Sequence, residues 1–207
     1  MILEKSVRSY LSELASNRPV PGGGSASCIV AAQAASLVSM ACEISRKRGS
    51  SRRRKARLKK LEALARTLAA LGAGLAEWDV EVFKRLIAIF KKRYASTGRR
   101  RQAIQKALRY CTASCLDLAI LTRDGMKVTC EAARCVRPDM QSEIHTALYF
   151  WEAAFYGAWV NTEANLAWVK EPRVQKLARR WIQKISLEIR RDRRRILKVL
   201  RVKEISV

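Results

Sequence analysis

The sequence predicts an all-α fold, a single-domain helical bundle built around a central helix of small residues. Three observations carry that expectation. Long stretches are rich in Ala, Leu, Lys, Arg and Glu, and the 207 residues include only four prolines. No segment alternates polar and apolar residues for long, and no Asn-Gly pair sits between β-branched runs, so strands and hairpins lack their usual signals. The segment from Val20 to Cys42 carries no charge and is dominated by Gly, Ala and Ser, which suits a helix that its neighbours approach closely. With 49% hydrophobic residues, the chain is long and apolar enough to bury one sizeable core, taken as a domain over 1–207.

In order along the chain, Ser6 to Asn17 reads as a short amphipathic helix with Val7, Tyr10, Leu11 and Leu14 on one stripe. Pro19 and Pro21 end it and hold an extended approach. Gly22 to Gly24 then make a turn, and Ser25 caps the small-residue helix, which runs to about Arg46. Gly49 to Ser51 separates it from a basic helix beginning near Arg52. Leu58, Leu61, Leu64, Ala65 and Leu68 give that helix a core stripe, and it continues past Gly72 and Gly74 to Tyr94.

Ser96 to Gly98 is a loop before a helix from Arg99 to Arg134, with a bend expected near Gly125. Pro138 stops this helix and starts the next, Met140 to Val169, which carries most of the aromatic mass. Pro172 opens the last helix, with Val174, Leu177, Trp181, Ile185 and Ile189 as its apolar stripe.

Val20 to Cys42 could span a bilayer by length, but Gln33 and the scarcity of Leu, Ile and Phe argue for a protein core and against a membrane. Met1 to Tyr10 has charges where a secretory signal would have its apolar centre. The six cysteines, at 28, 42, 111, 115, 130 and 135, match no zinc or redox spacing, and there is one histidine. They read as reduced, buried thiols of a cytoplasmic protein. Cys111 and Cys115 share a helix face, the one pairing with any aptitude for a soft metal. His145, the sole histidine, reads as structural or surface.

The net charge is +24, and ten of the fifteen residues from Arg46 to Lys60 are basic, with a second cluster from Arg190 to Lys203. Such charge attracts nucleic acid, anionic lipid or a polyanionic small molecule, yet no nucleic-acid motif chooses among them. The glycine triplet is not a nucleotide phosphate loop, because the Gly-Lys-Ser/Thr ending is absent. Its amides at a helix start still favour an anion or a carbonyl.

The residues around that triplet are more telling. Leu14-Ala15-Ser16, then Pro19-Val20-Pro21-Gly22-Gly23-Gly24-Ser25, then Leu37-Val38-Ser39-Met40 resemble the opening of the formiminotransferase-cyclodeaminase C-terminal family, which includes methenyltetrahydrofolate cyclohydrolases. Asp79 and Phe83 in WDVEVF, IQKAL at Ile104, and Gly157, Asn161, Asn165 and Leu166 in EAAFYGAWVNTEANL extend the resemblance over nearly the whole chain. The chain departs from the family pattern at Glu43, where Asn is usual, at Arg46-Lys47-Arg48, where the family has a Lys-rich run, at Glu143, where it has Asp, and at Cys115, where Pro is common.

The resemblance implies a helical bundle, usually a homodimer, that handles the one-carbon unit of a reduced folate, mono- or polyglutamylated. The reaction would be hydrolysis of the 5,10-methenyl bridge or cyclodeamination of 5-formiminotetrahydrofolate, with no metal or redox cofactor. The methenyl bridge is a delocalised cation, so a nearby carboxylate can stabilise it or orient water. Asp79, Glu43 and Glu143 are the catalytic candidates. Pro21, Gly22, Gly23, Gly24 and Ser25 are candidates to hold substrate, and Arg46, Lys47 and Arg48 to hold its glutamate tail. The alternative is a non-catalytic helical homologue that binds RNA or another polyanion through its basic faces.

Overall fold

The computed structural model describes residues 1–48 and 51–201. Gly49 and Ser50 of the expected separator, and Lys203 of the second basic cluster, lie outside the described residues. The described residues form six α-helices, α1 (Val7–Leu14), α2 (Gly23–Lys47), α3 (Arg52–Lys91), α4 (Thr97–Ala133), α5 (Gln141–Leu166) and α6 (Pro172–Leu200), with a 3-10 turn at Pro138–Met140. The all-α bundle expected from the sequence is the fold observed.

Caps set several boundaries. The hydroxyls of Ser6, Ser51 and Ser96 accept from the amides three residues on and start α1, α3 and α4. Pro138 and Pro172 occupy the first turns of the 3-10 segment and α6, where a missing N–H costs nothing.

Ser25 is not the cap of α2. The helix starts at Gly23 with Gly22 as its cap, and Ser25 stands in the first turn. Its hydroxyl accepts from the Gly22 amide (3.2 Å) and donates to the Gly22 carbonyl (3.0 Å). The glycines are therefore the head of the helix rather than a turn before it.

The long helices run alternately up and down. Glu62 on α3 pairs with Arg46 near the end of α2, and Gly72 faces Ala32 near its middle. The amide of Arg137, just before α5, donates to Ser45, and Gly157 further along α5 abuts Ser27. α2 thus lies antiparallel to both α3 and α5. α4 packs on α3 and α5, and α6 closes the bundle against α4 and α5.

Ala31, Ala34, Ala35, Val38 and Ala41 are fully buried, forming a stripe at helical spacing. Gln33, Ser36 and Met40 stay exposed, so α2 is central by its packing without being enclosed on every side. It has the length and hydropathy of a membrane span, and its apolar stripe is taken up by the core.

Three apolar stripes differ from expectation. Val7 and Leu11 on α1 are 75% and 54% exposed, and α1 has no buried residue. On α3, Leu58, Leu61 and Ala65 are buried but Leu64 is exposed. On α6, Leu177 and Trp181 are exposed, and the buried line runs through Ala178, Ile182, Ile185, Ile189 and Ile196. The expected α6 stripe mixed two neighbouring helical rows, and the core takes the row one residue on.

Candidate active site

α2 begins where the proline-rich approach ends, so the Gly23 and Gly24 amides have no carbonyl a turn earlier to receive them. α3 runs past this helix head and presents Asp79 to it. The Ser25 amide donates to the Asp79 carboxylate. The two elements are so close that a Cβ on Gly24 would lie 2.5 Å from Asp79 Oδ1. Any side chain at Gly24 would have to push the carboxylate aside.

A small cavity of about 120 Å³ lies at this junction, bounded by Gly22–Gly24, Asp79 and Phe83, the thiols of Cys111 and Cys115, and the amides of Asn161 and Asn165. Four helices contribute to it. The side chain of Asn161 donates to the Gly157 carbonyl (2.8 Å), and Asn165 Nδ2 donates to Cys115 Sγ (3.5 Å).

Burial pushes the Asp79 carboxyl up from the usual aspartate range to about 6, against the opposing pull of the Ser25 amide. Desolvation wins because no cation partner offsets it among the described residues. The thiols around it are held protonated. Burial first, and the Asp79 charge second, raise Cys111 to about 11 and Cys115 to about 12, and lift Cys28 further still. These are not thiolate nucleophiles at neutral pH. They form a low-polarity wall that keeps the carboxyl basic. Among the described residues, no group of three or more His, Cys, Asp or Glu is placed to hold a metal ion.

The site residues expected from the sequence separate into two places. Asp79, Gly22, Gly23, Gly24 and Ser25 are brought together, with Pro21 buried just before them. Arg46, Lys47, Arg48, Glu43 and Glu143 are not. Gly24 and Arg46 are 22 residues apart on one straight helix, about 33 Å at 1.5 Å per residue. At the far end Lys47 and Arg66 hold Glu43 (2.6 and 2.8 Å), while Arg46 and Arg66 hold Glu62 (2.9 and 3.2 Å).

The Lys47 hydrogen bond keeps the Glu43 carboxyl below its usual range, the opposite of what a proton carrier needs. Glu143 occupies the first turn of α5, where its charge complements the helix dipole. His145, close by on α5, stacks at 4.9 Å against Tyr149. From sequence alone, Cys28, Asn161 and Asn165 carry no site role, and Cys111 and Cys115 only an aptitude for a soft metal. The four-residue spacings of Cys111/Cys115 and Asn161/Asn165 put each pair on one helix face, which was the available signal.

An all-α bundle with a partly buried acid against a glycine-headed helix is the class of protein defined here. The sequence profile of the formiminotransferase-cyclodeaminase family matches residues 6–184, and the chain belongs to that family. It is 26% identical over 168 residues to the formimidoyltransferase-cyclodeaminase of Rattus norvegicus, covering 80% of this chain and 31% of that protein. It is 34% identical over 115 residues to the methenyltetrahydrofolate cyclohydrolase of Methylorubrum extorquens, covering 52% of this chain and 53% of that one.

The fold superimposes on the crystal structure of the formiminotetrahydrofolate cyclodeaminase of Thermotoga maritima with a TM-score of 0.88 at 20% identity, covering 97% of this chain and 98% of that one. The chain thus spans about a third of the length of the rat relative. None of these matches supports the RNA-binding alternative.

Proposed function

We infer that this chain acts on the one-carbon unit of a reduced folate and that Asp79 carries the proton, with hydrolysis of the 5,10-methenyl bridge as the reaction. The carrying observation is the Asp79 carboxyl, kept away from cations, raised to about 6 by burial and set against the amide-bearing head of α2. At neutral pH such a group is mostly ionised, so it attracts the cationic bridge and can take a proton from attacking water. The water oxygen adds to the bridge carbon, and one of its protons passes to Asp79. The adduct hydroxyl then gives up its proton as the carbonyl forms, and the carbon–nitrogen bond to N5 breaks with its electron pair going to N5. N5 takes up one proton and the other leaves to solvent, one proton being released overall.

The free amides of Gly23 and Gly24 are suited to the oxygen that gains negative charge as the adduct loses its hydroxyl proton and collapses. Addition and elimination at an activated carbon call for no metal or redox group. The names of the relatives support this class of substrate. Cyclodeamination of a 5-formimino substrate, the alternative within the class, would instead need Asp79 as a proton donor, for which a pKa of about 6 is less suited at neutral pH. The reading includes a homodimer, and Tyr156 and Val160, 52% and 66% exposed one turn apart on α5, offer it an apolar patch.

Loss of the methenyl chromophore and release of ammonia distinguish the two reactions. Wild-type protein should discharge the methenyl compound and Asp79→Asn should not, with its helical circular dichroism unchanged. A chain inert toward both substrates, or an Asp79→Asn variant as active as wild type, removes this reading.

A further inference from the structure

The cavity at Asp79 is too small for a whole folate, since ligand pockets run from roughly 300 to 1,000 Å³. Val82, a wall of that cavity, is also a wall of a second and larger one of about 590 Å³. This second groove lies between the last turns of α3 and the first turns of α4, bounded by Trp78, Arg85, Lys92, Tyr94, Lys106 and Tyr110.

Aromatic rings and cations line it together. The Arg85 guanidinium sits 5.7 Å from the Trp78 ring centre, and the Lys92 ammonium 5.8 Å from that of Tyr94. Trp78 and Tyr110 are 38% and 51% exposed. Arg85 is paired with Glu81, whereas Lys92 and Lys106 have no carboxylate partner among the described residues. From Asp79 to Lys92 the groove follows thirteen residues of helix, about 20 Å, a span that a bicyclic ring at Asp79 does not fill.

We propose that this groove is the subsite for an arene bearing a chain of carboxylates, the p-aminobenzoyl-oligoglutamate half of the substrate. The proposal rests on the folate reading above. It moves the tail from Arg46, Lys47 and Arg48 to Arg85, Lys92 and Lys106. The arene would lie over the exposed Trp78 and Tyr110 faces, and successive carboxylates would meet the unpaired lysines. Rim charges of this kind are individually modest, so the effect grows with the number of glutamates.

The test uses tail fragments that carry no pterin: p-aminobenzoyl-glutamate and p-aminobenzoyl-triglutamate, titrated against wild type, Lys92→Gln/Lys106→Gln and Arg46→Gln/Lys47→Gln/Arg48→Gln. The triglutamate fragment should bind wild type more tightly than the monoglutamate. The groove variant should weaken it by about fivefold to tenfold and the monoglutamate by much less, while the far-end variant should leave the difference intact. The KM of the triglutamylated methenyl substrate should follow the same pattern.

Equal binding of both fragments, no loss in the groove variant, or a loss confined to the far-end variant overturns the groove assignment even if the enzyme turns folate over. Fragment binding that depends on Lys92 and Lys106 in a protein with no folate turnover upholds the groove and sinks the Asp79 chemistry alone.

Discussion

The two ends of α2 use carboxylates in opposite ways. At its head, Asp79 is partly buried, has no cation beside it among the described residues, and is raised to about 6. At its tail, Glu43 and Glu62 are wrapped by Arg46, Lys47 and Arg66, and Lys47 holds Glu43 below the usual carboxylate range. In a chain with 42 Lys and Arg against 18 Asp and Glu, pairing is the default fate of an acid. A carboxylate that escapes it beside a cavity, as Asp79 does, is available for chemistry. Local charge density at the tail marks a structural clamp, and its scarcity at the head marks the site.

The largest effect should come from removing the acid at the head. Asp79→Asn is expected to lower methenyl turnover by about 10²- to 10⁴-fold, the range of a positioned proton acceptor. In wild type, kcat/KM should fall on the acid side as pH drops through about 6, because the protonated carboxyl cannot accept a proton. Stability carries the opposite sign. The folded protein binds this proton more tightly than the unfolded chain, whose aspartate titrates near 3.8. The Asp79 contribution is therefore most favourable below that value, declines as pH rises to about 6, and is flat above.

The Asn variant escapes this cost but weakens the bond from the Ser25 amide. Urea unfolding should find it about 1–2 kcal/mol more stable than wild type at pH 8, with the gap closing toward pH 4. A variant that is less stable at pH 8 would mean that the carboxylate is a structural partner of the helix head.

Gly24→Ala attacks the same end through space alone. Its methyl would sit 2.5 Å from Asp79 Oδ1, so the carboxylate must turn away from the head of α2. Turnover is expected to fall by about 10- to 100-fold, with a smaller stability loss because a side chain, rather than backbone, gives way. Steady-state kinetics beside a thermal melt separates the two.

At the tail the pattern should invert. Glu62 is 9% exposed and binds two guanidinium groups, so Glu62→Ala should cost about 1–3 kcal/mol of stability while turnover stays within about twofold. A loss of turnover at constant stability would bring the tail end into the site and erase the contrast.

These ends were not equally legible in the sequence. The glycine head and Asp79 were readable because each sits in a short local motif. The bundle was readable because helical periodicity is local as well. Assigning Arg46 to Arg48 to the same site neglected the length of α2, whose 25 residues hold its two ends apart. Asn161, Asn165, Cys28, Cys111 and Cys115 gather around the Asp79 cavity only through packing of segments far apart in the chain; their spacings put pairs on one helix face but do not say that those faces meet. The misplaced Leu177 and Trp181 show the same boundary at smaller scale. Period fixes a stripe, but which of two adjacent stripes faces inward depends on the neighbouring helix.

The smallest expected effect tests the span between the two ends. Gly72 and Gly74 lie two residues apart in α3 and look alike in sequence, yet they face different surroundings. A Cβ on Gly72 would approach the Ala32 backbone nitrogen to 3.1 Å, where α2 cannot easily retreat, whereas a Cβ on Gly74 meets nothing within 4 Å. Gly74→Ala therefore gains only the helix preference of Ala and should stabilise the protein by about 0.5–1 kcal/mol. Gly72→Ala should forfeit that gain by pushing α3 off α2, and with it Asp79 off the helix head. Paired melts and turnover assays on the two variants should give one protein slightly more stable with wild-type kinetics and one less stable with impaired kinetics. Equal behaviour of the two would mean that the α2–α3 seam is loose enough to absorb a methyl group, and that the spacing of Asp79 from the glycine head is set elsewhere.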